Sequence, residues 1–102
     1  MAFVRIGQFT ALPDTAEQLR EIYETDAIPA IRAATGNIRA VLLQQHQARD
    51  AFMAITVWRT VEDAERYDRS GQAAAMVDKI RFAFAGPPTL STYDAFGIPQ
   101  QT

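Results

Sequence analysis

The segment AFMAITVW, residues 51–58, constrains the fold more than any other stretch. Its β-branched and aromatic residues read as a strand. Side chains alternate between the two faces of a strand, so Phe52, Ala54, Thr56 and Trp58 share one face while Met53, Ile55 and Val57 share the other. Both faces are largely apolar. An antiparallel strand with one wet face alternates apolar with polar, so this one needs cover on both sides. IRAVLLQQ, residues 38–45, has the same character, with Ile38, Ala40 and Leu42 opposite Val41 and Leu43. The polar HQARD between the two segments predicts a hairpin.

The rest of the chain supplies cover for one face. AFVRIGQFT reads as a first strand, with Phe3, Arg5, Gly7 and Phe9 on one side. ALPDTAEQ is a turn leading into a helix, with Asp14 as N-cap and Glu17 at the capping-box position. Ala16, Leu19, Ile22 and Tyr23 recur at helical spacing. Pro29 is expected to kink or restart this helix, and Gly36 to cap its end. Thr60 and Asp63 form a second capping box. SGQ interrupts the helix that follows near residue 70, with Ser70 able to cap a second segment whose apolar stripe is Met76, Val77 and Ile80. AGPP stops it. TLSTYDAF is a fourth strand and GIPQQT a tail. The order is βαββαβ. It predicts an α+β, ferredoxin-like domain over residues 1–102, a four-stranded antiparallel sheet with helices on one face. The helices leave the other apolar face bare. The same face of a second copy is the economical cover, so a homodimer with sheets packed together is expected.

Composition narrows the function classes. A chain of 102 residues buries a modest core, for which dimerisation is a common remedy. The net charge of −2 is spread over mixed signs and gives no footprint for nucleic acid or an anionic membrane surface. The absence of cysteine removes disulfides and thiolate chemistry, and one histidine makes a poor start for a transition-metal site. No metal or other cofactor is expected. No apolar run approaches the roughly 20 residues that span a bilayer, and the N-terminus lacks a signal-peptide pattern. A cytoplasmic location is the expectation.

AITVWRTVEDAERYDRSGQ followed by GPPTLSTYDAF, with YETDAIPAIRAATGNIRAVLLQ before them, resembles the antibiotic-biosynthesis-monooxygenase (ABM) family of dimeric α/β barrels over nearly the whole chain. The resemblance implies the fold and the dimer. It also brings cofactor-free oxygenases of aromatic polyketides, heme-degrading enzymes and uncharacterised members into view. The heme-degrading pattern has an Asn on the first strand, an aromatic in the helix after the Trp, and an axial His further along. Those positions fall on Gly7, Tyr67 and Val77, so only the aromatic is present.

The candidate pocket residues are Arg5, Gly7, Tyr23, Trp58 and Tyr67. Arg5 is a charge in mid-strand, which must be paired or reach a cavity or solvent. Gly7 beside it leaves space. Arg5 could orient an anionic or enolate-like ligand, or simply form a salt bridge, for which Asp94 is one partner. Trp58 and Tyr67 suit core packing as well as a pocket wall, and Tyr23 and Tyr93 could join them. His46 begins the polar hairpin loop and reads as an exposed bystander. The resemblance implies a cofactor-independent monooxygenase acting on a small aromatic or quinol-type ligand. Set against it is a non-catalytic ligand-binding or stress-associated dimeric module, favoured by the shortage of a clear general base. Isomerase or cyclase chemistry and heme degradation rank behind both.

Overall fold

Two clusters of apolar side chains lie on opposite faces of one antiparallel sheet in the computed structural model, which describes residues 1–99. The end of the expected tail, Gln100 to Thr102, lies outside the described residues. Strands β1 (Ala2–Thr10), β2 (Asn37–Gln44), β3 (Ala51–Trp58) and β4 (Thr89–Ala95) run in the order β2-β3-β1-β4. This is the ferredoxin-like arrangement, with all helices on one face. β1 is central. Its Arg5 and Gly7 pair with Thr56 and Ala54 of β3 on one side, and with Thr92 and Leu90 of β4 on the other.

The helix-side core is the larger. It gathers Leu19, Tyr23, Ala27 and Ile31 from the first helical run, Phe52 and Trp58 from β3, and Ala64, Tyr67 and Ile80 from the second. Leu19 and Trp58 are essentially fully buried. Burial of a large apolar side chain is worth roughly 1.5–3 kcal/mol. At the far end of the sheet, Phe9 stacks on Phe52 with ring centroids 5.5 Å apart and meets Phe84 at 5.3 Å. The other face carries Val4 and Val57 with Ile6, Ile38 and Ile55 against them, and Ile98 is the segment beyond β4 that packs there.

Several local expectations need correction. Asp14 does not cap the first helix. It adopts φ 69°, a left-handed conformation that short polar residues tolerate, and α1 (Ala16–Ile22) starts from Thr15, whose hydroxyl donates to the Leu12 carbonyl at 2.7 Å instead of capping. Pro29 restarts the helix as expected, through a π-helical turn, Tyr23–Ala27, before α2 (Ile28–Arg32); the Ile28 N–H reaches back to the Tyr23 carbonyl. A proline has no N–H and its ring clashes with the carbonyl one turn back, and the wider turn ahead of Pro29 accommodates both. A register shift between Asn37 and Arg39 places Ile38 on the outer face, not beside Ala40 and Leu42. Ser70 closes α3 (Val61–Arg69), donating to the Tyr67 carbonyl at 2.5 Å, and as expected its Oγ also accepts the Gln72 N–H at 3.3 Å at the start of α4 (Gln72–Ile80), although Gly71 at φ 82° holds the N-cap position itself. α4 gives way at Arg81–Ala83 to a 3-10 turn, ahead of AGPP, because Phe84 bridges to Ala11.

The other boundary signals hold. Thr60 accepts the Asp63 N–H at 3.1 Å at the start of α3. Gly36 sits at φ 82° after α2, and a Cβ there would run into the Asp63 carboxylate.

Candidate functional site

The helix-side core is incomplete around the middle of β1. Gly7 contributes no side chain, and the nearest atom to a Cβ built there is the Thr89 carbonyl oxygen at 4.0 Å. Ala54 lies beside it on β3 and Ala27 and Ala73 on the helices, so short residues surround the gap. The result is a cavity of about 180 Å³ between sheet and helices. β1 and β3 form its floor through Arg5, Gly7, Thr56 and Trp58. Tyr23 and Ile31 wall it from the first helical run, Tyr67 and Asp68 from α3, and Met76, Val77 and Ile80 from α4, with Leu90 of β4 at the edge.

The five residues singled out from sequence, Arg5, Gly7, Tyr23, Trp58 and Tyr67, all line this one cavity. Trp58 remains chiefly a core residue. It is buried, its Nε1–H donates to the Thr56 hydroxyl at 2.9 Å, and its ring lies 5.5 Å from that of Tyr67. Tyr93 is elsewhere. It pairs with Val4 and so projects from the opposite face, half exposed. His46 is exposed in the hairpin loop.

Arg5 forms its salt bridge, but with Asp68 rather than Asp94. Nη1 donates to Oδ1 at 2.7 Å and Nη2 meets Oδ2 at 2.6 Å. Asp94 pairs with Phe3 in the sheet register, one position too far along β1's own face, whereas the last turn of α3 hangs directly over Arg5. The guanidinium also sits 5.8 Å from the centre of the Phe3 ring. Its Nε–H is buried without a partner among the described residues. Asp68 was missed in the sequence reading. A signal was available: it follows Ala64 by one helical turn, and Ala64 is buried. A carboxylate on the inward face of a helix and a cation on the inward face of a strand call for each other.

The two phenols are tuned alike. Burial pushes the Tyr23 hydroxyl from 10.0 up to about 12, with the neighbouring Tyr67 adding to the effect. Burial also raises Tyr67, and the Asp68 carboxylate raises it further. Both stay protonated near neutral pH, so each can donate a hydrogen bond as well as accept one. Among the described residues, the only charged ones on the cavity wall are Arg5 and Asp68, and they neutralise each other. Val77, at the position of the heme-ligating histidine in the family pattern, lines the cavity and offers no donor atom. Among the described residues no cluster of three His, Cys, Asp or Glu side chains is placed to hold a metal ion, and no helix is long and apolar enough to cross a membrane.

Other depressions are less suited to a ligand. One of about 250 Å³ lies between the end of α2 and α3, bounded by Ala30, Ala33 and Ala34 and by the Asp63–Arg66 pair, and shares only Tyr67 with the central cavity. Two wider grooves of about 500 Å³ flank the Phe9–Phe52 end of the sheet and, among the described residues, are lined by no charged one. Apolar walls with a few convergent polar groups mark the default binding site, and the central cavity has both.

Comparison with known proteins agrees with the fold. The family model described as antibiotic biosynthesis monooxygenase matches residues 2–79. A solved structure from Nitrosomonas europaea that carries this family name superposes with a TM-score of 0.83 at 21% identity, covering 94% of this chain and 91% of its own. Rv0793 from Mycobacterium tuberculosis gives 0.82 at 14% identity, over 98% of this chain and 100% of its own. A variant of SnoaB, a cofactor-independent oxygenase from Streptomyces nogalater, gives 0.81 at 15% identity, over 99% and 95% respectively. Among curated proteins, no sequence matches this chain.

Proposed function

The chain belongs to the antibiotic biosynthesis monooxygenase family, and from that premise we propose that residues 1–102 form one ABM domain that binds a small aromatic or quinol-type ligand in the central cavity and oxidises it with O₂ without a cofactor. The observation that carries this reading is the convergence of Arg5, Tyr23, Trp58 and Tyr67 around a space left open by Gly7. Aromatic rings can pack a planar ligand. Protonated tyrosines and the free N–H groups of Arg5 can hold a ring oxygen. At about 180 Å³ the cavity is below the 300–1,000 Å³ of pockets for drug-sized ligands, so a ligand of one or two rings suits it.

In such chemistry the substrate supplies the electrons. Loss of a proton from an activated ring CH₂ gives a carbanion, which reduces O₂. One oxygen atom becomes a ring carbonyl and the other leaves as water. The protein has to bind the ring, exclude water and stabilise the developing negative charge on the ring oxygen. Tyr23, Tyr67 and Arg5 are donors placed for that last task. Oxygen uptake on a panel of one- and two-ring quinols and ring ketones with an activated CH₂, with and without chelator, tests the proposal. Turnover that survives chelation supports it, and no turnover across the panel removes it.

One observation favours the non-catalytic ligand-binding module as a second reading. The single carboxylate that the described residues place on the cavity wall is tied at both oxygens to Arg5, and both tyrosines are held protonated. None of these groups stands free as a general base. Binding of aromatic ligands without oxygen uptake would select this reading. In either case we place the working protein in the cytoplasm as a homodimer, with the Val4, Ile6, Ile55 and Val57 face of one sheet against its equivalent. The lack of cysteine suits that compartment.

A further inference from the structure

We propose that Asp68 sets the charge selectivity of the cavity, so that it admits neutral oxygenated aromatics and rejects aromatic carboxylates. This rests on the reading of the cavity as a ligand site and adds what kind of ligand that site can take.

An arginine among apolar walls is ordinarily an anion receptor, because its fork of N–H donors matches a carboxylate. Here that fork is already filled. Both oxygens of Asp68 engage the two terminal nitrogens of Arg5, at 2.7 and 2.6 Å. Among the described residues, no other charged one reaches the cavity wall. An incoming carboxylate therefore has two choices. It can displace Asp68, which then lies beside a second negative charge. Or it can enter beside the intact pair and lose its hydration with no counter-ion in return. Both are unfavourable, since an unpaired charge is costly to desolvate. A phenol or ring ketone meets neither problem. It needs one or two hydrogen bonds, and Arg5 still has N–H groups that Asp68 does not use, beside the hydroxyls of Tyr23 and Tyr67.

The relationship makes the selectivity reversible by one atom. Asp68→Asn keeps the size and one acceptor oxygen but removes the charge. Arg5, with its side chain only 18% exposed, is then a cation without a partner. The cavity becomes an anion site.

The test uses two probes of one shape, 2-naphthol and 2-naphthoate, which are neutral and anionic at neutral pH. Their dissociation constants are measured on wild type, on Asp68→Asn and on Arg5→Gln combined with Asp68→Asn. In wild type the naphthol is expected to bind at least about tenfold more tightly, a difference of roughly 1.4 kcal/mol. In Asp68→Asn that ratio is expected to fall by at least about tenfold, toward the carboxylate. In the double variant, with neither charge, the preference for naphthol returns. Equal binding of both probes to wild type, or a ratio that Asp68→Asn leaves in place, overturns the role of Asp68 while leaving the cavity a ligand site. If Asp68→Asn does not fold, Asp68→Ser, which also leaves Arg5 charged and without its carboxylate, is read by the same ratio. Failure of wild type to bind either probe overturns the ligand-site reading itself.

Discussion

Arg5 of β1 and Asp68 of α3 lie 63 residues apart in sequence and meet through two parallel contacts, with Nη1 2.7 Å from Oδ1 and Nη2 2.6 Å from Oδ2. The pair ties the centre of the sheet to the last turn of α3, where the chain breaks at Ser70 and Gly71 before α4. It therefore links the sheet to the helices that roof the cavity and neutralises the one cation that the described residues place on its wall.

Removing one partner should cost more than removing both. Asp68→Ala leaves Arg5 charged and mostly buried, with its Nε already lacking an acceptor. A buried pair broken on one side typically costs 3–5 kcal/mol and an exposed one under about 1. Asp68 is half exposed and Arg5 is not, so a loss of about 1–3 kcal/mol is expected from the urea midpoint. Combining it with Arg5→Met should recover part of that loss. A double variant no more stable than Asp68→Ala would mean the unpaired charge is not the cause.

Tyr23 gives the domain an alkaline limit. Its hydroxyl is raised in the folded state from 10.0 to about 12 by burial. A raised value means that the folded state holds the proton more tightly than the unfolded one. The stability linked to this group is complete below pH 10 and is lost as pH rises toward 12. The loss amounts to about 2–3 kcal/mol at 1.36 kcal/mol per pH unit. Urea melts at pH 9 and pH 11.5 should show wild type losing more stability over that interval than Tyr23→Phe. Parallel losses in the two proteins would refute the assignment.

Gly36 is held by geometry rather than by packing. Its φ of 82° lies in the region that side-chain-bearing residues avoid, and a Cβ would collide with the Asp63 carboxylate. Its carbonyl accepts the Arg59 N–H at 2.8 Å, joining the end of α2 to the end of β3. Gly36→Ala should destabilise by about 1–3 kcal/mol, visible as a lower Tm. An unchanged Tm would mean that the turn can relax at no cost.

Legibility in the sequence followed physical range. Strand alternation and helix periodicity are set by near neighbours, so the element order, the hairpin and the Thr60 cap could be read directly. The pocket candidates followed from residues out of place in a strand, Arg5 and Gly7, together with the aromatics of the family pattern. What escaped depended on contacts between distant segments. The partner of Arg5 was sought across the adjacent strand at Asp94, but the sheet register carries that residue past it and the turn of α3 intervenes. Ile38 changed faces because of a register shift that alternation alone does not reveal. The expected cap at Asp14 gave way to Thr15, because Asp14 takes a left-handed conformation where β1 hands the chain to α1.

The outer face of the sheet is the strongest consequence of the segment AFMAITVW. Val4, Ile6, Ile55 and Val57 form one apolar surface across β1 and β3, with Val41, Leu43 and Met53 beside them in register and Tyr93 across β1. The helices cover the other side, Leu43 and Tyr93 are about half exposed, and among the described residues beyond β4 only Ile98 packs on this face. Left in water, such a surface is an association site. A second copy matches it, because a two-fold axis sets the same apolar patch against itself. The expected outcome is a dimer by sedimentation at micromolar concentration, and Ile55→Lys should convert it to monomer, since two lysines would face one another across the dry interface. The substitution lies on the face away from the cavity, so the far-ultraviolet circular dichroism of the monomer should remain that of a folded α+β domain. A wild-type monomer at that concentration would overturn the assignment of this face, and so would an Ile55→Lys protein that stays dimeric.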